Sequence, residues 1–153
     1  MKPVTFISHK KEDASNAQKV YNILNAKHGI SCYLDVLDEE AKDGPSLTDY
    51  LKDKLRTCNN LIAVVSTTTQ ASWWVPWEIG VASERNYPLA TFAIQPATLP
   101  TFLKKWPYLS NDNDLDKYAQ TIKEFAAPLM ESMAVQKSAS KNFFETLNKR
   151  LGR

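Results

Sequence analysis

Glycine is scarce in this 153-residue chain, which has only Gly29, Gly44, Gly80 and Gly152. No two stand close enough to form GxGxxG or GxxxxGKS/T, so the common glycine-rich phosphate cradles are absent. Cysteine is rarer still. Cys32 and Cys58 are too few for a four-ligand zinc centre or a disulfide framework. Both precede stretches patterned like buried strand, so they are expected as reduced core thiols. With His9 and His28 the only histidines, no Ser/His/Asp or Cys/His set presents itself, and no metal site is expected. Long apolar runs are missing too: Leu61 to Val65 falls far short of the roughly 20 residues a spanning helix needs. Met-Lys-Pro-Val-Thr opens the chain without an apolar signal-peptide core, so the expectation is a soluble, cytoplasmic protein with no membrane partner. Nor is there an excess of one charge. Nineteen Lys and Arg against seventeen Asp and Glu leave +2, too little to predict a nucleic-acid partner.

The sequence does contain alternation. Val4 to Ile7 is short, β-branched and aromatic, and predicts a first strand. Asp13 and Ser15 are candidate caps for a helix carrying Ala17, Val20, Tyr21 and Leu24, which Gly29 ends. Ile30 to Leu34 predicts a second strand closed by Asp35, and the acidic stretch Asp38 to Pro45 reads as a loop. Ser46 is the expected cap of a second helix with Leu47, Tyr50, Leu51 and Leu55. Leu61 to Val65 predicts a strand buried on both faces, followed by a polar break at Thr67–Thr69. Trp73 to Glu84 predicts a helix whose Pro76 is tolerated in the first turn. Ala90 to Ile94 predicts a fourth strand, Trp106 to Leu109 a short edge strand, and Asp114 to Met133 and Ser138 to Leu151 two helices.

Such alternation predicts a parallel sheet with helices on both faces. Ligands of such sheets bind beyond the carboxyl ends of the strands, where strand order reverses. The polar residues at those ends are Ser8, His9, Lys10 and Lys11, then Asp35, then Ser66 and Thr67.

Three blocks fall on these positions: Phe6-Ile7-Ser8-His9-Lys10-Lys11-Glu12-Asp13, then Cys32-Tyr33-Leu34-Asp35 leading into Leu37 to Leu47, then Val64-Val65-Ser66 with Ser72-Trp73-Trp74-Val75-Pro76-Trp77-Glu78-Ile79. Together, over roughly residues 3 to 110, they resemble a TIR (Toll/interleukin-1 receptor) domain. The second block is similar to the family's BB loop, although it is acidic and lacks the RDxxPG-like stretch of receptor adaptors. Trp74-x-x-x-Glu78 is similar to the pattern of the enzymatic branch. The resemblance implies an α/β, flavodoxin-like three-layer fold with a central parallel sheet of about five strands. It places the TIR domain at residues 1–134, with residues 135–153 as a basic C-terminal helix packed on it or appended to it.

For chemistry, the resemblance implies cleavage of the nicotinamide–ribose bond of NAD+, giving nicotinamide and ADP-ribose or a cyclic isomer. NAD+ is then a substrate, and no cofactor is implied. Nicotinamide is already a cationic leaving group, so no general acid is needed. Its departure leaves an oxocarbenium-like ribose that one carboxylate can stabilise. Glu78 takes that role by its position in the motif; read alone, it is an ordinary glutamate near a helix start. Trp74 is expected to shape the nicotinamide pocket or to support Glu78. Ser8, His9 and Lys10 are candidates for the ribose and diphosphate. Asp35 either lines the pocket or caps the loop, and Ser66 either meets ribose or begins a turn.

From Val135 onward five cations face the single Glu145, which suits a solvated helix face. Phe143, Phe144 and Leu147 give that helix an apolar side for a partner or for the domain itself. The leading expectation is a bacterial-style antiphage TIR enzyme. It would self-associate through TIR–TIR contacts, and its product would be sensed by a separate effector. A non-catalytic TIR scaffold is the alternative, and a nucleoside deoxyribosyltransferase-like enzyme a third class.

Overall fold

Five short strands, all parallel, form the centre of the computed structural model, which describes residues 2–34, 45–69, 74–95, 97–126 and 132–153. They are β1 (Val4–Ser8), β2 (Ser31–Leu34), β3 (Asn60–Val65), β4 (Leu89–Ala93) and β5 (Tyr108–Leu109), in the order β2-β1-β3-β4-β5. The helices are α1 (Ala14–Asn22), α2 (Pro45–Arg56), α3 (Trp74–Glu84), α4 (Asp112–Phe125) and α5 (Met133–Arg150). From β1 the chain steps outward to β2, then crosses back to place β3 on the other side of β1. Strand order therefore reverses between β1 and β3, where Phe6 stands opposite Leu61 and Ser8 opposite Ala63.

Side-chain alternation along the strands divides the core in two. Phe6, Leu61, Ala63, Val65, Leu89 and Ala93 meet Leu47, Leu51 and Leu55 of α2 and Val75, Ile79 and Ala82 of α3. Ile7, Ile62, Val64, Ala90 and Phe92 meet α1, α4 and α5 on the opposite face. Both sheet faces are thus covered, which explains why β3 reads as an unbroken apolar run and is buried throughout. Each such Leu, Ile, Val or Phe contributes about 1.5–3 kcal/mol when fully buried.

Element boundaries moved where local chemistry overrides apolar spacing. The second helix begins at Pro45 rather than behind Ser46, since proline's fixed φ and missing N–H suit a first helical position. Leu47, expected on this helix, is buried there. Strand four starts and ends one residue earlier than Ala90–Ile94. The edge strand is only Tyr108–Leu109; Pro107 precedes it, its carbonyl accepting the Thr91 N–H at 3.0 Å. The fourth helix opens at Asp112 because the Asn111 side chain accepts the Asp114 N–H at 2.9 Å. It closes at Phe125, with Ala126 already extended. The last helix begins at Met133, five residues before the expected Ser138, because the Ser132 hydroxyl accepts the Val135 N–H. Gly29 does end the first helical segment. Its φ of +67° suits glycine, its N–H reaches the Asn25 carbonyl, and the Ile30 N–H reaches that of Leu24.

Helix α5 lies against the sheet domain. Phe143 and Leu147 are fully buried, and Phe143 meets Tyr118 edge-on with ring centroids 5.6 Å apart. Arg150 bonds Thr121 and Glu124 of α4 at 2.8 and 2.7 Å. Among the described residues no helix is long and apolar enough to cross a membrane.

Candidate functional site

The inward face of α3 is formed by Val75, Glu78, Ile79 and Ala82, the i, i+3, i+4, i+7 stripe of a core-facing helix. Three are apolar. The fourth, Glu78, is only 2% exposed and lies one turn into the helix. A carboxylate taken so far from water needs hydrogen-bond donors. One comes from β1, whose alternation turns Phe6 and Ser8 toward the face that α3 covers. Ser8, the last residue of β1, is buried, and its hydroxyl donates to Glu78 Oε2. Hydrogen bonds to charged groups contribute about 1.5–3 kcal/mol each.

A second set of contacts joins the segments that follow β1 and β3. Ser66, directly after β3, donates its hydroxyl to Asp13 Oδ2 at 2.8 Å. The Ser66 N–H donates to Thr69 Oγ1 at 2.8 Å. Lys10 donates from Nζ to the Thr68 carbonyl at 3.3 Å and lies 3.8 Å from the Glu12 carboxylate. The two segments are therefore braced across the reversal of strand order, where this sheet type receives ligands.

Asp13 was expected to cap α1. It occupies the N-cap position but makes no capping hydrogen bond from its side chain; its carboxylate is buried and turned to Ser66 instead. The charge sits where a donor from the facing segment reaches it, and that outweighs a cap exposed to water. Asp13 and Thr69 are buried polar residues of this region that sequence reasoning did not assign to it. The available signal was topological: in a β2-β1-β3 order the segments after β1 and β3 must face each other. Within Thr67-Thr68-Thr69, however, spacing alone does not say which hydroxyl turns inward.

Of the candidate residues, Ser8, Lys10, Ser66 and Glu78 thus lie around the carboxyl ends of β1 and β3. His9 joins them, buried, with Nδ1 3.5 Å from the Ile7 carbonyl oxygen. Trp74 is the first residue of α3, one turn before Glu78. Asp35 and most of the acidic loop lie outside the described residues, as does Trp73. Trp77 is half-buried against the α2–α3 side of the core. Among the described residues no three His, Cys, Asp or Glu side chains converge closely enough to hold a metal ion.

Chemically, the arrangement is a carboxylate fixed by a helix packed into the core, aligned by a hydroxyl from the central strand and flanked by polar loops. Such a group stabilises positive charge that develops beside it, and it does so more strongly than in water because the surroundings reorganise little.

Comparison with known proteins gives the family. The family model described as TIR domain matches residues 5–126. A protein of Bacillus cereus (strain MSX-D12), described as probable 3' cyclic ADP-D-ribose synthase ThsB', is 27% identical over 79 residues, which are 49% of this chain. The match spans 40% of that relative's own length. The TIR domains of the activated Roq1 resistosome, solved while recognising the effector XopQ, align over 96% of this chain and 84% of theirs, with 16% identity and a TM-score of 0.49. With the family model covering most of its length and the parallel sheet in the order described, the chain belongs to the TIR domain family.

Proposed function

We propose that the protein cleaves the nicotinamide–ribose bond of NAD+ and releases nicotinamide with ADP-ribose or a cyclic ADP-ribose isomer. One observation carries this reading: the Glu78 carboxylate is buried on the core face of α3, hydrogen-bonded to Ser8 at the strand-order reversal. A buried carboxylate at that place is costly for a fold that needs only packing, and useful for a reaction that generates a cation. The description of the Bacillus cereus relative as a probable cyclic ADP-ribose synthase points the same way.

In this reading the C1'–N bond breaks with both electrons leaving on nicotinamide, which departs neutral. Glu78 stabilises the oxocarbenium character left on the ribose. Ser8 holds the carboxylate in place, and the braced segments 9–13 and 66–69 form walls against the ribose and diphosphate. Attack by water gives ADP-ribose; attack by a hydroxyl or ring nitrogen of the ADP-ribose itself gives a ring. Self-association through TIR–TIR contacts, a role in antiphage defence and a separate effector that senses the product belong to the same proposal.

The test is incubation of concentrated protein with NAD+, with chromatography of the products beside Glu78→Gln. Nicotinamide release by the wild type and its loss in Glu78→Gln is the expected result, and the second product separates hydrolysis from cyclisation. Equal turnover by both proteins would overturn the role of Glu78. Binding to other TIR domains without NAD+ turnover, even in assemblies, would favour the non-catalytic scaffold.

A further inference from the structure

Asp13 stands at the strand-order reversal with half of its carboxylate uncommitted. The residue is 6% exposed, and the Ser66 hydroxyl donates to Oδ2 at 2.8 Å. The other oxygen, Oδ1, has no hydrogen-bond partner among the described residues, and the side chain makes no capping bond to α1. A charged acceptor taken so far from water is costly to leave half met. Bracing the two segments accounts for Oδ2 and leaves Oδ1 without a task.

The local charge decides what that oxygen can receive. A helix N-terminus at such a reversal ordinarily seats a phosphate. Here the Asp13 carboxylate belongs to the N-cap residue of α1, so a phosphate would meet negative charge. Residues 9–13 and 66–69 contain Lys10 and Lys11 against Glu12 and Asp13, and no arginine. Lys10 is already turned to Glu12 and to the Thr68 carbonyl. An uncharged hydrogen-bond donor suits Oδ1, and on a dinucleotide that means a sugar hydroxyl. Position along the strands says which sugar. Ser8, which holds Glu78, stands opposite Ala63, and Ser66 is three residues further on. At about 3.3 Å per residue, the Asp13–Ser66 bridge lies about 10 Å beyond the Glu78–Ser8 bond. It is out of reach of the bond that breaks and within reach of the far half of the same dinucleotide.

We propose that Asp13 Oδ1 accepts the 2'-hydroxyl of the adenosine ribose and makes the protein selective for NAD+ against NADP+, in which that hydroxyl carries a phosphate. The inference rests on the NAD+ reading above and names which dinucleotide the site takes. A 2'-phosphate removes the donor and brings negative charge toward a buried carboxylate, so both effects act against it. Acidic residues read a ribose hydroxyl in this way in dinucleotide-binding sheets, where an arginine instead accommodates the 2'-phosphate.

The test compares kcat/KM for NAD+ and NADP+ in the full chain, in Asp13→Asn and in Ser66→Ala. Asparagine keeps an acceptor for Ser66 and drops the charge. The wild type should favour NAD+ at least about 100-fold. Asp13→Asn should bring the ratio below about tenfold, chiefly through KM, whereas Ser66→Ala loosens the brace and should lower both rates while keeping the preference. Circular dichroism checks each fold. Should Asp13→Asn fail to fold, the wild type with NAD+ lacking the adenosine 2'-hydroxyl carries the test, with a loss of about tenfold in kcat/KM expected. Equal use of NAD+ and NADP+, a ratio unchanged in Asp13→Asn, or full activity on the 2'-deoxy analogue would overturn the proposal. If no form cleaves NAD+, the reaction reading fails and binding decides. Calorimetry should then show ADP-ribose bound at least about tenfold tighter than its 2'-phosphate, a preference lost in Asp13→Asn. Equal binding, or no binding of either compound, would overturn the role of Asp13.

Discussion

Ser8 and Glu78 are seventy residues apart in sequence and share one buried hydrogen bond, from the serine hydroxyl to the glutamate carboxylate. The bond ties the end of the central strand to the core face of α3. Removing either partner leaves the other short of its bond, so the two changes should not add. Ser8→Ala is expected to lower stability by about 1.5–3 kcal/mol, because it deprives a buried charge of a donor. Glu78→Leu should cost less, since Val75, Ile79 and Ala82 already form an apolar stripe around it. The double variant Ser8→Ala/Glu78→Leu should be more stable than the sum of the singles predicts. Urea melts of the four proteins give the coupling, and strict additivity would mean that the hydrogen bond contributes nothing.

Asp13 and Ser66 make the second bridge. Asp13→Ala is expected to cost about 1–3 kcal/mol and to leave the Ser66 hydroxyl without its carboxylate acceptor. Under the proposed NAD+ cleavage, the pair braces the segments beside Glu78 rather than touching it, so the variant should raise KM for NAD+ more than it lowers kcat. A loss confined to kcat would assign Asp13 to the reacting atoms instead.

The two cysteines set an alkaline limit. Burial pushes the Cys32 thiol up to about 12 and the Cys58 thiol up to about 11, from 9.0. Both free thiols are therefore neutral at physiological pH and poor nucleophiles. The unfolded chain ionises them near 9.0 and the folded chain does not. Stability from this source is complete below pH 9 and is lost as pH rises toward 11 to 12. Denaturation midpoints between pH 7.5 and 10.5 should fall, and fall less in Cys58→Ala after correction for its own neutral-pH cost. Fast modification of native protein by iodoacetamide at pH 7.5 would contradict this account.

Helix α5 is expected to unfold with the sheet as one cooperative unit. Phe143→Ala should cost about 3–5 kcal/mol, the usual range for truncating a buried aromatic side chain. A cost below 1 kcal/mol, or a separate early transition in calorimetry, would mark α5 as an appendage.

The alternation of apolar strands with amphipathic segments was enough to give the parallel sheet, because a strand buried on both faces, such as Leu61 to Val65, has few other destinations. Helix ends were less legible. Apolar spacing carried the fourth helix past Phe125 and delayed the fifth to Ser138, whereas backbone conformation at Ala126 and the Ser132 cap set those limits. In the site, Trp74-x-x-x-Glu78 drew attention to the glutamate, yet nothing local showed it to be part of the core stripe. That follows from the crossing of α3 over β1, a contact between residues far apart in sequence. The turn of Asp13 away from its helix toward Ser66 was hidden for the same reason.

Glu78 rides on no loop. It occupies a rung between Val75 and Ile79, and those neighbours are held by the sheet. The carboxylate therefore cannot be displaced without loosening the α2–α3 half of the core. In many enzymes a mobile active-site loop fails first on heating, and activity fades some degrees before the protein melts. Under the proposed function the two losses should fall on one curve here, so that activity serves as a thermometer of the fold.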